Sequence, residues 1–396
     1  MKTAAALALF LLTAIPLLGQ ENRIAPGPDG SDVSLKLEIE RAVANGIAYL
    51  KSQQDDETGA WSDPVHPAFT ALAVSAILGD PALDREGELP AAVDKGLAFL
   101  LSKVQPDGGI YGKGLATYNT SLSMMALMQA GRGDLLPTVA KARRFLIGQQ
   151  QDFGKPGEVD ELFDGGIGYG GSYTHSDLSN THLALEALYY SQKVLADTGF
   201  DEAAEVDLDW NAAIEFVSAT QNTEATMKRL GDWATLREED RGGFVYFPGN
   251  TKSEEIDVDA DGSRRTALRS YGSMTYAGLL SFIYAEMDRD DPRILAAMEW
   301  LQRNFTLDEN PGMDAQGLFY YYHTMAKALA IAGNPELVDP QGRRIDWRKE
   351  LALKLMSEQR RDGSWINEGS NRWMENNEIL VTAYALLALQ HAHRHL

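Results

Sequence analysis

Two kinds of apolar pattern alternate along the chain. In the first, apolar residues recur at helical spacing among polar ones and end on an aromatic-Leu or similar pair. The copies are GIAYLKSQQ, GLAFLLSKVQ, ARRFLIGQQ, AIEFVSATQ, AMEWLQRNF and LALKLMSEQ, anchored on Tyr49, Phe99, Phe145, Phe216, Trp300 and Leu355. In the second, nearly every position is apolar or small: FTALAVSAIL, TSLSMMALM, THLALEALYY, MTYAGLLSFIY, HTMAKALAIA and VTAYALLAL. The first pattern predicts helices with one wet face, and the second predicts helices buried all round. Between them stand Gly-containing turns: TGAW, DGGIYG, DGGIGYG, RGGFVYF, QGLFYYY and DGSW. Glycine suits a left-handed residue where the chain leaves the first helix, and the preceding Gln can bond freed backbone groups.

Six copies of one helix hairpin predict an all-α fold, an (α/α)6 toroid with an inner apolar ring and an outer amphipathic ring. Closure leaves no end repeat to cap. A hydroxyl recurs in the second helix at Thr70, Ser121, Thr181, Thr275, Thr324 and Thr382. Four of its intervals are 49–60 residues, and the step from Thr181 to Thr275 is 94 (275 − 181). That step marks an insertion at about 193–265, read as excursions over one rim rather than a second domain, with short hairpins in 222–268. Residues 34–396 are expected to form one domain.

The N-terminus stands apart. Lys2 precedes an almost unbroken apolar run from Ala4 to Leu18. It is too short to span a bilayer comfortably and has the form of a secretory signal over residues 1–20. Residues 21–33, rich in Pro, Gly and acids, read as a disordered leader. The expected location is secreted or periplasmic, with no integral membrane segment in the mature chain. The net charge of −21 disfavours nucleic acid and anionic membranes. With no Cys, disulfides, zinc thiolates and thiol nucleophiles are excluded.

Gln54-x4-Gly59-x-Trp61 and Gln359-x3-Gly363-x-Trp365 resemble the QW motifs of squalene and oxidosqualene cyclases, the prenyltransferase/squalene oxidase repeats. The resemblance runs over about residues 40–392 and implies a terpenoid cyclase-like toroid. It further implies a cavity lined by the inner-helix N-termini. The candidate ligand-binding residues there are His66, Tyr118, Asn119, Asp177, Ser179, Asn180, Tyr271, Ser273, Tyr321, His323, Trp373 and Asn376. Helix capping is the alternative reading for each Ser, Asp and Asn among them. The stretch Asp177-Leu178-Ser179-Asn180-Thr181 is similar to the acidic motif whose middle Asp protonates an alkene. Ser179 stands at the donor position and is far too weak an acid for that step.

Asp257, Asp259 and Asp261, followed by Gly262, resemble the first half of an EF-hand loop, so Ca²⁺ is a candidate cofactor. Leu268 occupies the place of the bidentate acid. His391, His393 and His395 read as an exposed tail. Three functions remain open from these residues. They are a toroid binding an apolar or isoprenoid-like ligand without the usual proton donor, a glycan-processing enzyme using acids such as Asp164, Asp177 and Glu375, and a non-catalytic binding or scaffold protein.

Overall fold

The six repeats pair a half-wet helix with a buried one. The computed structural model describes residues 30–171, 175–200, 206–260 and 262–396. The wet helices are α1 (Gly30–Ser52), α3 (Ala91–Ser102), α5 (Leu136–Ile147), α7 (Trp210–Ala219), α10 (Pro292–Arg303) and α12 (Trp347–Glu358). The buried ones are α2 (Pro67–Leu78), α4 (Ala116–Gln129), α6 (Leu178–Asp197), α9 (Gly272–Tyr284), α11 (Leu318–Ala332) and α13 (Glu378–His395). A short α8 (Glu224–Leu230) makes thirteen α-helices among the described residues. The fold is all-α, with about 53% helix and little strand.

Each buried helix packs on two others, in the order α2, α4, α6, α9, α11, α13 and back to α2. Every wet helix packs on at least one buried helix, α10 on α9 of the preceding repeat, and the predicted anchors Tyr49, Phe99, Phe145, Phe216, Trp300 and Leu355 are all inside. Residues 1–20 and 21–29 lie outside the described residues. Residues 30–33, expected to end the leader, are instead the first turn of α1.

The segment 193–265 contains the fourth wet helix, α7, where the repeat AIEFVSATQ places it. Beyond α7 the chain builds a three-stranded sheet of β1 (Ala234–Thr235), β2 (Glu255–Ala260) and β3 (Ser263–Leu268), in the order β1-β3-β2. β2 and β3 form an antiparallel hairpin, and β1 runs parallel to β3. A second small pair, β4 (Leu337–Val338) and β5 (Arg344–Ile345), joins α11 to α12.

The turn residues prove to be joints between repeats. The Nε2 of Gln54 donates to Gly59 O in its own turn and to Ala92 O at the start of the next wet helix, both at 2.9 Å. Gln150 does the same to Gly165 O and Asp209 O, and Gln221 to Gly242 O and Arg293 O. Gln359 donates to Gly363 O and to Ala42 O in α1, so the last repeat is fastened to the first. One amide NH₂ has two donors, and each of these four uses both.

Gly363 and Gly242 have φ of +91° and +86°. A Cβ on Gly363 would lie 2.4 Å from Asn45 O, and one on Gly242 2.3 Å from Ala296 O. Only Gly meets both the conformation and the close approach to the neighbouring helix.

The recurring hydroxyl belongs to the same joint. Thr70, Thr181, Thr275 and Thr382 accept the backbone N–H of Trp61, Ile167, Phe244 and Trp365, at 2.9–3.1 Å. In the second repeat Thr120 accepts from Ile110, so the expected Ser121 is one residue out of register. Thr324 instead donates to Tyr320 O, because the fifth turn, expected at 316–322, is the start of α11. Trp61 and Trp365 are fully buried and donate their indole N–H to Leu50 O and Leu355 O at 2.7 Å. The Trp365 ring lies against Gly46 of α1.

Trp365→Ala should therefore destabilise the fold by about 3–5 kcal/mol, as truncation of a core aromatic does. Gly242→Ala should cost about 2–4 kcal/mol through its left-handed backbone and the clash with Ala296. Urea unfolding measures both. A loss below about 1 kcal/mol at Trp365 would mean that the closing joint is not needed.

Candidate functional site

The first turns of the six buried helices are linked end to end. Ala68 N donates to Asn119 Oδ1, Thr117 N to Tyr169 O, and Leu178 N to Tyr246 O. Gly272 N donates to Pro311 O, Tyr320 N to Glu375 Oε1, and Asn377 Nδ2 to Ser62 Oγ. Free N–H groups at helix starts need acceptors; for five of the buried helices the next repeat supplies one, and α13 is capped by its own Asn377.

These bonds commit several candidate residues to the backbone. Asn119 also donates to Gly114 O and Leu115 O. Asp177 is fully buried and caps α6, its Oδ1 2.9 Å from Asn180 N and its Oδ2 2.8 Å from Asn180 Nδ2. Burial pushes its carboxyl up to about 6, against the pull of the Asn180 bonds. Ser273 Oγ accepts from Asn310, and the Tyr321 hydroxyl donates to Thr306 O. Glu375 is buried on Tyr320 N at 2.9 Å and Asn367 Nδ2 at 2.6 Å, and burial raises it to about 7. Asp164 accepts the N–H groups of Phe153, Asp160 and Glu161. All three acids of the glycan-enzyme reading thus hold backbone amides.

Inside the ring the candidates that meet are Tyr118 and His323. A cavity of about 10 Å³ lies among Leu72, Tyr118, Leu122, His182, Tyr320 and His323. That volume suits a single water. Tyr118 and Tyr384 close it, their hydroxyls 3.1 Å apart, and the Tyr118 phenol is pushed up to about 12 by burial. The His323 ring stacks on Tyr384 at 5.6 Å and 19°. Ser179, half-buried, lies beside Tyr320.

Below the cavity, Lys327 Nζ on α11 sits 2.9 Å from both oxygens of Glu186 on α6. Their side chains are 12% and 5% exposed, so this pair is enclosed. His182 and His323 each keep a buried Nδ1 with no hydrogen-bond partner. Burial first, and then the Lys327 charge, draw the His182 imidazole down to about 3 and His323 well below its usual value.

The remaining candidates sit at the rim. His66 is half-buried edge-on to Phe69, and Tyr271 is buried at the start of α9. Trp373 is 43% exposed, and Asn376 is exposed. Asp257 and Asp259 do not form an EF-hand loop. They lie on the extended strand β2, which spreads their carboxylates, and Asp257 pairs with Arg264 across the hairpin. Asp261 lies outside the described residues. The terminal histidines are not a free tail. They form the last turns of α13, with His393 Nε2 3.0 Å from Glu40 and the His391 ring 6.2 Å from His323.

Sequence reasoning missed Tyr384, Glu186 and Lys327. Their signal was a charged or polar residue inside an otherwise apolar helix, where a buried charge demands a partner.

No family model matches the chain. Its structure is similar to type II terpene cyclase MstE from Scytonema. A variant in complex with merosterolic acid A, its product, superposes with a TM-score of 0.54 at 14% identity, covering 92% of this chain and 99% of that one. A second variant, holding its substrate geranylgeranyl dihydroxybenzoate, gives 0.53 at 14% identity, covering 92% and 100%. The apo enzyme gives 0.52 at 13%, covering 91% and 99%. The chain has a terpenoid cyclase-like fold.

His182 sets a pH dependence. Its folded value lies below the unfolded one of about 6.5, so on acidification the unfolded chain takes up a proton that the fold refuses. The contribution is complete above about pH 6.5 and is lost as pH falls toward 3. Asp177 and Glu375, raised by burial, act in the opposite sense and lose stability as pH rises toward 6 and 7. A comparison with His182→Leu cancels them. From pH 6.5 to 4.5 the native protein should lose about 2 kcal/mol more than the variant. Parallel profiles in denaturant titrations would show that His182 is protonated in the fold.

Proposed function

We propose that this chain is an exported ligand-binding protein, built as a single (α/α)6 toroid, that carries out no protonation-initiated cyclisation. The closed interior carries the non-cyclising part of this reading. Pockets for drug-sized ligands run to about 300–1,000 Å³, whereas the space at the ring centre is about 10 Å³. Tyr118, Tyr320, Tyr384, His182 and His323 fill it, above an enclosed Glu186–Lys327 pair. Starting a cyclisation needs a protonated acid aimed at an alkene. Asp177 caps a helix, and Ser179 and Asn180 offer only hydrogen bonds. Among the described residues no helix is long and apolar enough to cross a membrane. The Lys2 and Ala4–Leu18 pattern supports export.

A second reading rests on the terpenoid cyclase-like fold. An apolar or isoprenoid-like chain enters the ring once the Tyr118–Tyr384 pair separates, its walls being Leu72, Leu122 and Leu183. A co-purifying isoprenoid, extracted from native protein and identified by mass spectrometry, would select this second reading.

Incubation with squalene, followed by product analysis, tests the main proposal. No cyclic product is expected. A cyclic triterpene made by the native protein and lost in Asp177→Asn would overturn it.

A further inference from the structure

Three imidazoles meet inside the ring without an acid to receive their protons. His182 on α6 and His323 on α11 both line the central cavity and are 2% and 6% exposed. Each keeps a buried Nδ1 with no hydrogen-bond partner. The His391 ring on α13 lies 6.2 Å from that of His323. A buried histidine ordinarily gives its ring N–H to a carboxylate or a carbonyl. His393 does so, with Glu40 at 3.0 Å. Among the described residues none of the three interior imidazoles has a carboxylate within ion-pair distance.

The titratable groups around them leave a proton nowhere to settle. α11 itself contributes Lys327 and Tyr320, α4 Tyr118, α13 Tyr384, and α6 Glu186. Glu186 is the one carboxylate in this set, and both its oxygens are held by Lys327 Nζ at 2.9 Å. On α9, Tyr284 lies near Glu186 and Tyr276 turns to Tyr321. α2 contributes Leu72, and α5 sends Arg143 elsewhere, to Leu188 O and Asp207. On α12, Glu358 lies near Tyr322. Arg394 and His395 lie beside His391 in the last turns of α13. A proton on any of the three imidazoles therefore meets Lys327 or Arg394 with no free acid to balance it.

The seal of the cavity rests on one of these rings. His323 stacks on Tyr384 at 5.6 Å and 19°, and the Tyr384 hydroxyl meets that of Tyr118 at 3.1 Å. A charged imidazole needs water or a counter-ion. Water reaches His323 by the path that those two phenols close. The joints that fasten the repeats are made of Gln amides, Gly backbones, Thr hydroxyls and Trp indoles. None of these titrates between about pH 4 and 7. Acid therefore acts on the centre and leaves the fastenings of the ring as they are.

We propose that the ring centre is a proton-operated gate: protonation of His182 and His323 parts Tyr118 from Tyr384 and admits an uncharged apolar molecule to an interior sealed at neutral pH. The occupant lies against Leu72, Leu122 and Leu183, above the Glu186–Lys327 pair. In the closed ring His182 is drawn down to about 3, and in a hydrated, opened ring it returns toward about 6.5. The opened form thus takes up protons that the closed form refuses, so the opened fraction rises as pH falls below about 6.5. At about pH 4.5 His182 alone favours opening about 100-fold more than at pH 7, and His323 adds to this. The closed form remains the major one, and the opened fraction sets the apparent affinity for an occupant. The inference rests on the second reading above and names the regulation of its site.

The test titrates the full mature chain with N-phenyl-1-naphthylamine, an apolar fluorescent probe that stays uncharged over this range, at steps from about pH 7 to 4.5. Apparent affinity should rise about 100-fold or more, with far-ultraviolet circular dichroism unchanged, and should fall again when the sample returns to pH 7. His182→Gln, which removes one titrating ring and keeps a polar group, should reduce that rise about 100-fold, and His323→Gln should reduce it as well. Leu122→Trp, which fills the cavity, should abolish uptake at every pH. Tyr118→Phe, which removes the bond of the seal, should raise affinity at pH 7 and keep the slope with pH. Circular dichroism checks that each variant is folded, and the two histidine variants decide the matter independently if Leu122→Trp is not. No rise in affinity by pH 4.5, an unchanged slope in folded His182→Gln or His323→Gln, native uptake in folded Leu122→Trp, or uptake only where the helix signal is lost would each overturn the gate. The absence of a co-purifying isoprenoid would overturn the second reading and leave this pH profile as it is, so the two failures are distinguishable.

Discussion

The rest of the structure depends on a side-chain amide that joins one hairpin to the next. A lone hairpin cannot bury its apolar helix, so each repeat needs neighbours held at a fixed distance. The Gln amide supplies that distance, with one proton on its own turn and the other on the start of the following wet helix. The turn glycine removes the atom that would keep the neighbour away, and the threonine fixes the turn to the buried helix. Closure uses the same parts. Gln359 reaches Ala42, Gly363 meets Asn45 and Trp365 meets Gly46, so the last repeat treats the first as its successor.

Two joints depart from this pattern and show what it does elsewhere. Gln105 turns back onto Lys103 O and Tyr111 O, within its own turn. At the fifth joint no Gln bridges to the next wet helix, and Asn304 bonds to Trp300 O in the helix it ends. There the contact with the sixth repeat falls to the β4–β5 pair and to Trp347, whose indole donates to Asn334 O. The ring tolerates a missing amide where another element spans the gap.

The fold was legible because its determinants recur. A motif read six times averages out local accidents, and the one-residue slip at Ser121 shows the remaining error. A step of one residue turns a side chain about 100° round a helix, so only Thr120 faces the turn. The interior was far less legible. Polar residues at helix starts satisfy either a ligand or the backbone, and sequence does not separate the two. Asn119, Asp177 and Ser273 prove to serve the backbone or its supporting amides. Residues that fill the ring, such as His182 and Lys327, occur once each and follow no repeat.

That contrast bears on where recognition can occur. The joints are alike because each solves the same packing problem, and a departure there needs another element to span the gap. The side chains facing inward differ from repeat to repeat, and here they include an enclosed ion pair. Such a pair contributes little net stability, because losing water from two charges offsets most of their attraction, and apolar residues of similar size would hold a ring as well. Removing only one partner is far worse, since it strands a buried charge. Glu186 and Lys327 therefore fix the interior in one arrangement and admit no apolar occupant beside them while paired. The part free to vary without opening the ring is the rim, where the loops before the buried helices differ in length and content. The outward Trp373, 43% exposed, lies there, on a segment that none of the four bridging glutamines touches.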